Sequence, residues 1–156
     1  MRALRIAGWT ALTAVVVVIA YFGLWEAPAR TPTHQLALGG AGVPVSDVRV
    51  ETHGWWTVCV TGARGGVEDE RLAVILPSTW TAHVQGVVPR VFLIGGSTEV
   101  RDRASGHVLR SEDIAQVEGV ELGMTDPEER AVVERWIDLC GDADAYVAME
   151  PLVSLQ

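Results

Sequence analysis

Ser97 and the histidines are the residues whose chemistry would make this chain an enzyme. Ser97 follows Gly95-Gly96 at the end of an apolar run, RVFLI (90–94), where a serine hydroxyl can stand exposed as a nucleophile. Its base would be His107 or His83. The G-x-S-x-G elbow is missing, and a Gly-Gly-Ser-Thr turn after a buried strand explains the same residues without catalysis. His34, His53, His83 and His107 never fall in the H-x-x-x-H or H-E-x-x-H spacing that turns two imidazoles toward one metal. Glu68-Asp69-Glu70 and Asp142-x-Asp144 are acidic clusters in loops, short of the ligand count of a calcium loop, and read as solvated charge. Gly62-Ala63-Arg64-Gly65-Gly66 lacks the Lys-Ser/Thr of a phosphate loop and opens no helix. No cofactor or metal is implied.

Cys59 and Cys140 are the two cysteines of the chain, without a C-x-x-C motif, so redox chemistry is not expected of them. A structural disulfide is expected instead, joining a strand to the inward face of a C-terminal helix. The alternative is two separate buried thiols acting as small hydrophobes. Trp55, Trp56 and Trp80 fall in or beside strands and a loop, while Trp136 belongs to a core. Adjacent side chains on a strand point to opposite faces, so an uncovered face would expose one of the Trp55-Trp56 pair. An exposed Trp55 or Trp80 would suit a protein interface or the flat face of a sugar; a covering helix would bury them.

Position along the chain is easier to read. Residues 1–5 carry Arg2 and Arg5, and residues 6–25 (IAGWTALTAVVVVIAYFGLW) contain no charge. As a helix, those twenty residues would measure about 30 Å, the thickness of a bilayer's hydrocarbon core. Trp9 lies near one end and Tyr21, Phe22 and Trp25 near the other, at headgroup level. The arginine pair should hold residues 1–5 in the cytoplasm and send the rest of the chain across. A cleaved signal peptide is the competing reading, with Ala27-Pro28-Ala29 as its processing site, but the apolar run exceeds the usual 7–15 residues. Ala7, Ala11 and Ala14, at i, i+4 and i+7, make a small-residue face along which a second membrane helix could pack.

Of 156 residues, 20 are acidic and 12 basic. Setting aside residues 1–30 (Arg2, Arg5, Arg30 and Glu26) leaves 9 Arg against 19 acids, a charge of −10. Such a field repels nucleic acid and disfavours anionic headgroups as partners of the domain itself. There is no Lys and no Asn, hence no N-glycosylation sequon.

Residues 26–46 (EAPARTPTHQLALGGAGVPVS) are rich in Pro, Gly and Ala, lack periodicity, and read as a flexible tether. From Asp47 the pattern turns to strands. Val48, Val50 and Thr52 alternate with Arg49, Glu51 and His53; WWTVCV follows; RLAVILP reads as an interior strand, as does RVFLI (90–94). Residues 99–103 and 107–110 suggest a hairpin about Ala104-Ser105-Gly106, and Ser111-Glu112-Asp113 the cap of a short helix reaching Val117. A longer helix should open with Asp126 as N-cap, Pro127 at N1 and Glu129 in a capping box. Its apolar face would be Val133, Trp136, Ile137 and Cys140, with Gly141 as the stop and the tail returning as a final strand. Residues 47–156 are therefore expected to fold as an extracytoplasmic α+β domain with a mainly antiparallel sheet and a C-terminal helix. The expected role is that of a non-enzymatic accessory or interaction protein with a membrane or envelope protein partner. The alternatives are a cell-envelope glycan binder and a small extracytoplasmic hydrolase.

Overall fold

A computed structural model describes residues 12–17, 26–54, 56–64, 70–85, 97–111 and 115–150. The chain divides into two compact units, Met1–Ala27 with Val84–Ser97, and Pro28–His83 with Thr98–Gln156. In the first, residues 12–17 are helical and exposed. No helix among the described residues is long and apolar enough to cross a membrane, and most of the 6–25 stretch lies outside them.

The second unit is α+β, with mostly antiparallel sheets and a C-terminal helix. Strands β3 (Val43–His53), β4 (Thr57–Arg64) and β5 (Arg71–Pro77) form an antiparallel meander. Strand β9 (Ala115–Glu121) returns by a long connection to lie antiparallel beside β3, which is a Greek key. Strand β10 (Ala145–Met149) then pairs antiparallel with β9 and parallel with β5. Those last pairings close β3, β4, β5, β10 and β9 into a five-stranded barrel, the architecture of the small Greek-key barrels that include the OB-fold.

The alternation of side chains explains the barrel. Val58 and Val60 of β4, Leu72, Val74 and Leu76 of β5, and Val147 and Met149 of β10 share one parity and are fully buried. Small residues make room among them. A Cβ on Gly62 would collide with Val45, and one on Gly119 would come within 2.5 Å of the Ala148 carbonyl oxygen and Val147. The opposite parity of the same strands, Cys59, Ala73, Ile75 and Ala148, packs against Val133, Trp136 and Cys140 of the helix α1 (Pro127–Cys140). After the exposed Arg71, the run LAVILP is apolar because both faces of the strand are covered.

Strand β3 begins earlier than expected and is kinked at Asp47, where its register slips against both neighbours and φ is +50°. Asp tolerates this left-handed conformation better than most residues, and the bulge bends the strand as barrel closure requires.

A second sheet has the order β1 (Glu26–Ala29), β6 (Trp80–Gln85), β7 (Thr98–Asp102) and β8 (Val108–Arg110). The hairpin expected about residues 104–106 is β7–β8, with Glu99 opposite Arg110 and Gly106 at φ +77°. Helix α1 has the expected N-cap, first-turn Pro127 and C-terminal stop. Asp126 accepts the N–H groups of Glu128 and Glu129, and Gly141 donates to the Ile137 carbonyl.

Four expectations need correction or fall elsewhere. Residues 26–46 are not an unstructured tether: they contain β1, β2 (Thr33–His34) and the start of β3, with Ala27, Pro32 and His34 buried. Their Pro and Gly content misleads because β1 and β2 are sheet edges, where Pro28 can sit without breaking a ladder. Residues 115–117 are strand rather than helix: in β9 exposed Gln116 and Glu118 alternate with buried Val117 and Gly119, while residues 112–114 lie outside the described residues. Glu129 does not close a capping box, because its carboxylate accepts the Gly123 N–H at 2.7 Å. The RVFLI strand (90–94) lies outside the described residues.

Candidate functional site

The cysteines behave as expected. Cys59 on β4 and Cys140 at the last turn of α1 form a disulfide, with their Cα atoms 5.9 Å apart. The bond staples the helix to the outer face of the barrel. Trp136, beside it, is fully buried and meets the ring of Tyr146 edge to face with centroids 5.8 Å apart.

The other chemical candidates are spent on structure or separated. The Ser97 hydroxyl donates to the Gln85 side-chain oxygen at 3.1 Å. His34 is 4% exposed, and its Nε2 lies 3.0 Å from the Met149 carbonyl, to which the neutral ring donates. Burial lowers the pKa of His34, while the bond to Met149 opposes that shift. Protonation would place a second N–H on Nδ1, which is buried and has no acceptor. His107 is exposed in the β7–β8 turn, and His53 is exposed at the end of β3. The Glu70 carboxylate pairs with Arg64, and that of Asp144 accepts the Arg71 N–H. Glu68 and Asp69 lie outside the described residues, among which no group of three or more His, Cys, Asp or Glu is placed to hold a metal.

Among the aromatic candidates, Trp80 is 2% exposed, so its face is not open to a sugar or a flat protein surface. That corrects the interface expected of it: β6 places the indole on its inward parity, with Ala82. Trp55 lies outside the described residues, and its neighbour Trp56 is 42% exposed. Ala7 and Ala11 also lie outside them; Ala14 is in the exposed helical run.

Sequence reasoning passed over a cleft among the described residues. It has a volume of about 470 Å³ and is lined by Arg30, Thr31, Thr33, Trp80, Thr81 and Arg103, with no carboxylate among its lining residues. Both arginines are held by their backbones. Arg30 donates its N–H to Trp56 O at 2.6 Å and accepts from Val58 N–H at 2.7 Å. Arg103 donates its N–H to Thr79 O at 3.0 Å. It opens a turn organised by Asp102, which is 4% exposed and accepts the N–H groups of Ala104 and Ser105 and the Ser105 hydroxyl. Burial raises the Asp102 pKa, but hydrogen bonds from the Ser105 and Thr79 hydroxyls and those two amides outweigh it, and the carboxyl stays below its ordinary range.

The guanidinium groups of Arg30 and Arg103 pair with no carboxylate among the described residues, and neither do those of Arg49, Arg130 and Arg135, whereas those of Arg64, Arg71, Arg101 and Arg110 do. No local sequence signal marks the pair, because pairing is settled by folding. The only hint was the position of Arg30, five residues beyond Trp25.

A second groove, on the wall of the barrel, mixes both signs: Asp47, Glu51 and Glu70 with Arg49 and Arg71, of which Glu51 and Arg71 pair at 3.4 Å. It is electrostatically self-satisfied. No family model, curated protein or solved structure compared with the chain matches it. Small Greek-key barrels host many unrelated functions, so the architecture by itself assigns none.

Proposed function

We propose that this chain is a membrane-anchored, extracytoplasmic interaction protein, non-enzymatic, held by residues 6–25 and acting beside a membrane or envelope protein partner. The observation that carries the reading is the Cys59–Cys140 disulfide, which suits an oxidising compartment and ties together the two layers of the domain. The uncharged twenty-residue stretch before it is long enough to span a bilayer as a helix, and the preceding arginines set its direction. Ser97, bonded to Gln85, and His34, bonded to Met149, each have a structural task that lends nothing to the hydrolase alternative.

Folding of residues 26–34 into the two sheets alters the picture of the anchor. A long flexible tether does not separate the domain from the apolar stretch; β1 starts at Glu26, the residue after Trp25. A partner would therefore be met close to the bilayer surface.

Two measurements test this. Membranes of cells expressing the C-terminally tagged chain should retain it through alkaline carbonate washing, with the tag accessible only from outside. Cross-linking of intact cells followed by gentle solubilisation should recover a stoichiometric membrane protein, lost when residues 6–25 are exchanged for an unrelated span. Recovery of the protein alone, under conditions that preserve known complexes, would sink the partner; an accessible tag on the cytoplasmic side would sink the topology.

A further inference from the structure

We infer that the cleft holding Arg30 and Arg103 binds the phosphate of an anionic phospholipid headgroup; this rests on the anchored reading above. Three observations converge on it. The cleft is lined by Arg30, Arg103, Thr31 and Thr33 beside the apolar Trp80 and Leu139, and guanidinium and hydroxyl groups are donors suited to phosphate oxygens. Among the described residues its arginines have no carboxylate partner, a state they share with Arg49, Arg130 and Arg135 in a chain of 20 acids and 12 Arg, but only these two line one cleft together. Arg30 is five residues from Trp25, so at about 3.3–3.6 Å per residue its Cα lies no more than roughly 18 Å from the end of the apolar stretch. The headgroup layer is itself about 5–8 Å deep on each side of the bilayer.

The charge of the domain does not forbid this. At physiological salt, charges beyond about 8 Å are largely screened, so the distant carboxylates weigh little against two arginines in direct contact. The acidic remainder has an orienting effect instead: an anionic surface repels the faces rich in carboxylates and attracts a cleft lined by arginines.

The test uses the full-length protein in a neutral detergent, titrated with dihexanoyl phosphatidylglycerol, dihexanoyl phosphatidylcholine and inorganic phosphate, with bound species counted by native mass spectrometry. Phosphatidylglycerol should bind at least tenfold tighter than phosphatidylcholine, and inorganic phosphate should compete only weakly. The Arg30→Gln/Arg103→Gln double variant should bind phosphatidylglycerol at least tenfold more weakly, while Arg135→Gln, an exposed change on α1, should stay within twofold of the parent. An intact disulfide and an unchanged melting temperature establish that the double variant is folded. Undiminished lipid binding in that variant would overturn the inference. Phosphate binding as tightly as the lipid would assign the cleft to a soluble phosphate compound and overturn the lipid. Failure of the anchor is read separately, as release by alkaline carbonate, so the two ideas fall independently.

Discussion

The barrel with its helix and the β7–β8 hairpin are held by different kinds of force. In the barrel, two layers of apolar side chains sit on either face of β4, β5 and β10, and a disulfide closes the outer layer. In the hairpin Val100 is the buried apolar residue, and the other buried groups, Thr98, Glu99 and Asp102, are polar. Glu99, nearly buried, takes ion pairs from Arg101 and Arg110, and Asp102 gathers the amides of the turn. Apolar burial is non-directional and tolerates small shifts, whereas a buried carboxylate needs each partner in place. The stiff barrel is thus suited to carrying, and the hairpin to aiming, the cationic cleft at Arg103.

If that contrast is right, the largest single effect belongs to the helix layer. Trp136→Ala should cost about 3–5 kcal/mol in denaturant unfolding, because a fully buried ring leaves a cavity between α1 and the barrel. Trp136→Phe should recover most of it, since the indole N–H has no acceptor and its loss strands no partner. A cost under about 1 kcal/mol for the alanine variant would mean that the helix layer is not what stabilises the barrel.

Opening the disulfide comes next. It closes a loop across a sequence separation of 81. The chain-entropy model gives about 4 kcal/mol for such a loop, and 2–4 kcal/mol is the usual yield. The Cys59→Ala/Cys140→Ala variant should lose that amount while retaining its far-ultraviolet circular dichroism, because the strands stay paired without it. Loss of the strand signal as well would show the staple to be a condition of barrel closure.

In the hairpin, Asp102→Ala should cost about 1–3 kcal/mol by stranding the Ala104 and Ser105 amides. Its more telling readout is local. Hydrogen exchange should quicken at residues 103–106 and leave β4 and β5 unchanged, since the turn draws on no apolar surface of the barrel. Faster exchange throughout would erase the distinction between the two regions.

The same division accounts for what the residues reveal before folding. Cys140, Trp136 and Val133 announce themselves by helical spacing, and Val48 and Val50 by alternation, because apolar burial writes a period into the chain. Hairpin and helix caps were legible from Asp126, Gly141 and the Ser105-Gly106 turn. Edge strands write no such period: β1 and β2 are held by backbone bonds, among them Arg30 to Trp56 and Ser78 to the His34 carbonyl, and so resembled a linker. The pairing of β5 with β10 across some 70 residues, and the absence of carboxylates around Arg30 and Arg103, arise only when distant segments meet.

His34 sits where one of those silent edges meets the barrel, and it gives the smallest and most specific effect. Folding buries the ring beside the Met149 carbonyl and holds its pKa below the ordinary 6.5, burial being the main cause. A base whose pKa is lower in the folded state binds fewer protons there than in the unfolded chain. Its contribution is therefore fully present above about pH 6.5 and is lost as the pH falls through the folded-state value. Stability should decline from pH 7.5 toward pH 5 with a component that His34→Gln abolishes, at no more than about 1.4 kcal/mol per pH unit for one proton. The glutamine amide can still donate to Met149, so a change in slope, rather than in stability at pH 7.5, is the informative quantity. An identical slope in the variant would mean that the β2 edge opens before the ring is protonated, and that this edge belongs energetically with the hairpin rather than with the barrel.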